Sequence, residues 1–308
     1  MSAARLPSRV TVVEVGPRDG LQNETASLTI DDKVAFCDAL VAAGLPVVEV
    51  GAFVSPKWVP QMDGSDEVLK RVRKPPGVRL PVLVPNRIGF ERAREAGARE
   101  IAVFTGASES FSRRNANASI DESFVRFAAF VPEARQQGLR VRGYLSTAFG
   151  CPYEGRVPPA RAVEVARRLL DAGCDEVSIG DTIGVAVPTQ VMDLLGRLGE
   201  QVPADRIAVH FHDTRGTALA NVLAAIDAGV TIVDSSAGGT GGCPYAPGAS
   251  GNLATEDLLY MLHGMGIETG VDLAAVAAAS RALAERLGRA LPSRYLQAGP
   301  PQTPSTTP

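Results

Sequence analysis

His210 and His212, separated by Phe211, are the residues of this chain whose type and spacing most directly offer chemistry. Only three histidines occur in 308 residues, and two of them stand here. They close the run Arg206-Ile-Ala-Val-His, whose β-branched, apolar character predicts a buried strand. Successive strand side chains alternate faces, so the two imidazoles converge on one side while Phe211 turns to the opposite layer. Two imidazoles on a rigid strand make half a metal site. A hydrogen-bonded pair of core histidines is the plainer reading, and further ligands must decide between them.

Glu14-Val-Gly-Pro-Arg-Asp-Gly-Leu-Gln-Asn-Glu24 is a turn-rich loop carrying Arg18 next to Asp19. In most loops such neighbours form a local ion pair of little consequence. Beside two imidazoles the same pair offers a carboxylate ligand and a fixed cation. Two nitrogens and an oxygen suit non-haem Fe(II), Zn, Mn or Mg, and ligand type alone does not choose among them. The second informative stretch runs from Gly238 to Asn252, where six of fifteen residues are glycine and two are proline. Cys243 lies in its middle, either as a small packing residue or as the thiol of a lid. Asn252 is an N-cap for the helix that follows or a fourth, amide-oxygen ligand.

The elements that must position these residues show in a recurring phrase: an amphipathic segment, then Ala-Gly, then a short β-rich run. It occurs at Ala43-Gly44, Ala96-Gly97, Ala172-Gly173 and Ala228-Gly229. Glycine just past a helix and before a strand is the stop of an αβ connection, and its repetition means parallel strands with helical crossovers. Strands are predicted near 10–15, 46–50, 79–84, 99–104, 139–146, 175–180, 206–212 and 231–235. Eight strand–helix units point to a closed α/β (β/α)8 TIM barrel, and no glycine-rich dinucleotide fingerprint follows the first strand. Helical periodicity over 252–265 and 271–289 exceeds what eight units need, so an additional C-terminal helix packs against the barrel. Residues 1–297 form one catalytic domain; 298–308, rich in Pro and Thr, form a disordered tail. Barrel enzymes place their sites at the strand C-termini. Those ends carry Glu14 to Asp19, Glu49, Asn86, Ser146-Thr147, Asp181-Thr182, and the histidine pair.

Composition narrows the partners. A formal charge of −3, from 31 basic and 34 acidic residues, gives no field for nucleic acid or an anionic membrane. The first residues lack a secretory core and no apolar run is long enough to span a bilayer, which predicts a soluble, cytoplasmic protein. Cys37, Cys151, Cys174 and Cys243 are scattered, forming neither a disulfide framework nor a metal knuckle.

The segments EVGPRDGLQNE, FVSPKWVPQMDG, RGYLSTAFGCPYEGRVPP, DTIGVAVP, HFHDTRGTALANVLAAIDAGV and GGCPYAPGASGNLATEDLLYML closely resemble the hydroxymethylglutaryl-CoA lyases. These are members of the metal-dependent lyase and Claisen-condensing barrels. The Arg-Asp-Gly and His-x-His parts are shared with isopropylmalate and homocitrate synthases; the cysteine loop is more specific. The resemblance implies that Asp19, His210, His212 and Asn252 hold a divalent cation, Mg or Mn, and that Arg18 faces a thioester oxygen. It also implies Glu49 and Asp181 as acidic residues of the site and Cys243 as a proton donor from the lid. Arg18, Gln22 and Asn115 are expected at the substrate, and Arg113-Arg114 either at the CoA phosphates or on a solvated face. The implied reaction cleaves 3-hydroxy-3-methylglutaryl-CoA to acetyl-CoA and acetoacetate, as in leucine catabolism, in a homo-oligomer, dimer or higher. Ala52, Arg215 and Thr217 depart from relatives' motifs and leave room for another branched 3-hydroxyacyl-CoA. A non-catalytic, metal-stabilised barrel acting as a binding protein is the alternative from another class, against which stands Arg18, a cation that no metal needs.

Overall fold

The computed structural model describes residues 6–241 and 251–299. Eight parallel strands form its centre: β1 (Thr11–Glu14), β2 in two short halves (Val47–Val48 and Gly51–Ala52), β3 (Val82–Leu83), β4 (Glu100–Gly106), β5 (Arg140–Ser146), β6 (Glu176–Asp181), β7 (Ile207–Phe211) and β8 (Ile232–Ser235). Strands adjacent in sequence pair with one another, and β8 pairs back to β1 with Val12 opposite Val233. The ring closes at β2, whose first half pairs with β1 and whose second half pairs with β3. Between the halves, the Glu49 amide reaches the Glu14 carbonyl at 2.8 Å while the Val50 amide reaches Pro81 at 3.1 Å. Both edges of this segment are therefore used, and no open strand edge remains in the ring. This is the closed α/β barrel that the strand count predicts.

Helices α1 (Ile30–Ala42), α2 (Ser65–Arg71) and α3 (Arg87–Glu95) follow the first three strands; α4 (Glu109–Ala116), α5 (Ile120–Ala128) and α6 (Val131–Gln136) follow β4. After β5 to β8 come α7 (Pro159–Asp171), α8 (Pro188–Gly199), α9 (Ala218–Asp227) and α10 (Thr255–Gly264). The start of α1 is a reciprocal cap, the Thr29 hydroxyl accepting from the Asp32 amide and the Asp32 carboxylate from the Thr29 amide. Its stop is Gly44 at φ 92°, where a Cβ would meet the Gly270 carbonyl oxygen at 2.4 Å. Gly97, Gly173 and Gly229 share the positive φ, which accounts for the recurring Ala-Gly phrase. The additional helix is α11 (Leu273–Leu287), packed on α1 and α10, and a short α12 (Arg294–Ala298) follows it. That last element is too brief for periodicity to reveal.

Two layers are filled differently. Between strands and helices the packing is aliphatic and aromatic, with Leu40, Phe90, Ile101, Leu169, Val209 and Leu259 in one continuous buried cluster. Inside the ring, only Val13, Val15 and Val47 with Ile232 form an apolar cluster. Much of the remaining lining is charged or polar. Arg140, Arg142 and Tyr144, two residues apart on β5, share one face of their strand. Among the described residues Arg142 is the bulkiest fully buried side chain, with Nη2 2.5 Å from Asp234 Oδ1 and Nη1 3.3 Å from Glu176 Oε1. Below it, Arg140 pairs with Glu176 at 2.5 Å and Arg79 with Glu100 at 2.7 Å.

Candidate active site

At the C-terminal mouth of the barrel, ligand atoms of Asp19, His210 and His212 lie within 4.8 Å of one another. Asp19 comes from the turn after β1, and the histidines from the end of β7. Their imidazole centroids are 5.3 Å apart. Phe211 turns the other way, against Phe149 at 6.2 Å, so the predicted strand alternation holds. His212 forms an antiparallel bridge with Asn252, which brings the end of the glycine-rich stretch onto β7. The Asn252 amide nitrogen donates to Asp19 Oδ2 at 2.9 Å and to the Thr240 carbonyl at 3.0 Å. Because a carbonyl can only accept, this pairing settles which end of the amide is which. The amide oxygen is then buried without a partner. An orphaned acceptor beside a carboxylate and two imidazoles is the donor set that a divalent cation satisfies. Gly241, at φ 100°, makes the approach possible, since a Cβ there would sit 2.5 Å from the Asn252 nitrogen. Asn252 is not the N-cap of α10, which starts at Thr255 after Ala254.

The protonation states suit such a site. Burial pushes Asp19 upward, but Arg18 and the two imidazoles outweigh it and hold the carboxyl at about 2. Burial, reinforced by His210, lowers His212 to about 4, leaving its ring neutral at pH 7 with a lone pair to offer. Arg18 is clamped on three sides. Its Nε donates to Glu49 Oε2 at 2.7 Å, its Nη1 to Asp19 Oδ1 at 2.5 Å, and its guanidinium lies 5.1 Å from the centroid of the Tyr144 ring. Tyr144 in turn donates its hydroxyl to Glu49 at 3.1 Å. Nη2 stays uncommitted among the described residues. Arg18, Asp19, His210 and His212 line one cavity, together with Gln22 and Asn115.

The HMGL-like family profile matches residues 9–283. The chain belongs to the HMGL-like family. It is 54% identical to the mitochondrial hydroxymethylglutaryl-CoA lyase of Mus musculus over 96% of this chain and 91% of that protein. Among solved structures it resembles the hydroxymethylglutaryl-CoA lyase of Pseudomonas aeruginosa, with a TM-score of 0.93, 52% identity, and coverage of 95% of this chain and 98% of that one. An HMG-CoA lyase from Acinetobacter baumannii in complex with coenzyme A and 3-methylmalate superposes with a TM-score of 0.92 at 36% identity, over 98% of each chain.

The remaining predicted residues of this HMGL-like barrel have diverse places. Glu49 is fully buried and serves Arg18 and Tyr144 through one oxygen. Asp181 is turned away from the cavity: its two oxygens accept the amides of Val185 and Ala186 at 3.0 and 2.8 Å, tying the loop after β6. Gln22 donates to Asp19 at 3.0 Å, and Asn115 reaches the cavity from the last turn of α4. Glu14 holds the root of the loop after β8, accepting the Ala237 amide at 2.8 Å and the Thr255 hydroxyl at 2.7 Å. Asn86 caps α3 through the Gly89 amide. Arg113 lies 3.8 Å from Glu109, and Arg114 stacks on Tyr153 at 4.3 Å. Arg215 donates to the carbonyls of Ile183 and Gly184, and Thr217 to that of Ala186, so two of the departures from relatives' motifs act in loop packing, while the third, Ala52, is simply buried. Cys37, Cys151 and Cys174 are buried free thiols. Cys243 lies outside the described residues. Sequence reasoning missed Arg142, Tyr144, Ser178 and Asp234; the signal available was polar side chains at alternating positions inside otherwise apolar strands.

Proposed function

We propose that this protein cleaves 3-hydroxy-3-methylglutaryl-CoA to acetyl-CoA and acetoacetate, using Mg2+ or Mn2+. The observation that carries the reading is a single cavity in which a rigidly clamped guanidinium stands beside a carboxylate–bis-imidazole cluster. Breaking the carbon–carbon bond requires the C3 hydroxyl to lose a proton while the departing two-carbon fragment becomes a thioester enolate. Asp19, His210, His212 and the Asn252 amide oxygen would hold the cation, which supplies Lewis acidity to make that hydroxyl more acidic.

Among the described residues, Asp19 is the one acid lining the cavity, and it is ionised at neutral pH. It is therefore the group placed to take the hydroxyl proton. Arg18, its Nε and Nη1 committed to Glu49 and Asp19, has Nη2 to direct at the enolate oxygen. A donor already in position needs no reorganisation as charge develops, and losing one typically costs about 3–4 kcal/mol of barrier. The enolate carbon is reprotonated by Cys243, a role that rests on the glycine-rich sequence around it and on the family resemblance. The substrate is an acyl thioester, in keeping with the coenzyme A bound to the relative from Acinetobacter baumannii.

The test is acetyl-CoA release from a panel of branched 3-hydroxyacyl-CoAs by protein that has been exhaustively chelated and by protein reloaded with Mg2+ or Mn2+. Release from 3-hydroxy-3-methylglutaryl-CoA only after reloading is expected. Full turnover by metal-free protein removes the cation site, and preference for another member of the panel replaces the substrate.

A further inference from the structure

The two imidazoles of the cluster have different neighbours behind them. The Nδ1 atoms of both His210 and His212 are buried without a hydrogen-bond partner at the present ring angles, and they differ in what stands next to them. His210 Nδ1 lies 3.4 Å from Oδ2 of Asp234, the residue directly opposite it on β8. At that separation a small rotation of the ring closes a hydrogen bond, and such bonds commonly tighten only when a site is occupied. Asp234 is itself held from two other directions. Its Oδ1 accepts from Arg142 at 2.5 Å and its Oδ2 from the Ser178 hydroxyl at 2.8 Å. All three supporting side chains are buried.

A buried ion pair contributes little that apolar side chains of the same volume would not. What an apolar filling lacks is an acceptor of defined direction under one imidazole and not the other. We propose that Asp234 is a positioning residue for the reaction: it accepts the Nδ1 proton of His210, which fixes the tautomer and leaves the Nε2 lone pair facing Asp19 and His212. Arg142 supplies the counter-charge that keeps Asp234 an anionic acceptor in the barrel interior, and Ser178 sets its rotation. His210 is then the preset ligand of the pair, and His212 the adjustable one. Orientation of a ligating histidine through its second nitrogen is worth about 10–100-fold in metal affinity where it has been removed. This proposal rests on reading the Asp19–His210–His212 cluster as a cation site.

The deciding measurement uses wild-type, metal-free protein labelled with 15N-histidine, its three imidazoles assigned by loss of a signal in His210→Gln and His263→Gln. His210 is expected as a single tautomer with the proton on Nδ1 and a pyridine-type Nε2. A proton on Nε2, or a population averaged between both nitrogens as in a free imidazole, overturns the proposal. The second measurement titrates Mn2+ into metal-free Asp234→Asn and follows free Mn2+ by electron paramagnetic resonance. The amide cannot present an oxygen to Arg142 and to His210 without turning its NH2 on one of them, so the Kd is expected to rise about 10–100-fold. An unchanged Kd in a folded variant overturns the proposal, and should the variant fail to fold, the wild-type tautomer decides alone. If the tautomer is fixed as stated but wild-type protein takes up no Mn2+, the cation reading fails while the hold of Asp234 on His210 stands.

Discussion

The inside and the outside of this barrel's strand ring are filled with opposite chemistries. Outside, Leu40, Phe90, Ile101 and Leu259 meet in a cluster that excludes water and demands little of direction. Inside, Arg142 is hydrogen-bonded to Asp234 and close to Glu176, with Arg140 beneath them and Tyr144 hydrogen-bonded to Glu49 above. Aliphatic packing gives stability, since burying apolar surface is favourable in any orientation. Taking charges out of water returns little net stability. What the interior gains is direction: Glu49 holds Arg18 through Nε, and Asp234 stands 3.4 Å behind His210, so the two mouth side chains have oriented partners beneath them. The comparison therefore separates a layer that keeps the fold from a layer that aims the site.

The hardest way to break it is to remove the central cation. Arg142→Met leaves two carboxylates buried with one partner fewer, an imbalance that typically costs about 3–5 kcal/mol. The expected outcome is a large fall in the urea midpoint at unchanged slope, partly restored by adding Asp234→Asn. Wild-type stability in the single variant would mean the interior is ordinary packing. Arg18→Lys, at the top of the same column, is expected to leave fold and Mn2+ uptake intact while kcat drops about 10²–10³-fold, because an ammonium has no fork to share among Glu49, Asp19 and an enolate. Steady-state assays beside a metal titration check this, and near-normal kcat would reduce Arg18 to a local ion pair.

Glu14, behind the strand ring, sharpens the contrast through pH. Burial, with Glu256 nearby, raises its carboxyl from 4.5 to about 7 against the opposing hydrogen bonds from Thr255, Ala237 and Gly16. Between those values the folded chain keeps a proton that the unfolded chain has released, so this group's contribution to stability falls as pH rises from about 4.5 to 7 and is level above. His212, depressed to about 4, works in the opposite sense over part of the same range. The stability difference between wild type and Glu14→Gln isolates the first effect, and the wild type should lose ground to the variant across that window. A flat difference would show Glu14 ionised throughout. The smallest effect belongs to the outer layer: Ile101→Val should cost only about 0.5–1.5 kcal/mol and leave kcat unchanged. A loss of turnover there would erase the division between the two layers.

Much of this division follows from where information sits in a sequence. The eight strands, the Ala-Gly stops and the extra helix after α10 were legible because they depend on local period and on glycine's tolerance of positive φ, both properties of neighbours along the chain. His210 and His212 were legible as a pair for the same reason, being two apart on one strand. The residue types of Arg18, Asp19 and Asn252 could be named and, with the family resemblance, grouped. Only the tertiary structure decided that the Asn252 nitrogen is spent on Asp19 and Thr240, that Asp181 serves its own loop, and that Arg142 reaches across to Asp234. Those contacts join residues as many as 233 positions apart, brought together by ring closure. Direction at that range is set by strand register and side-chain rotation, and no pattern along the chain encodes either until the barrel has closed.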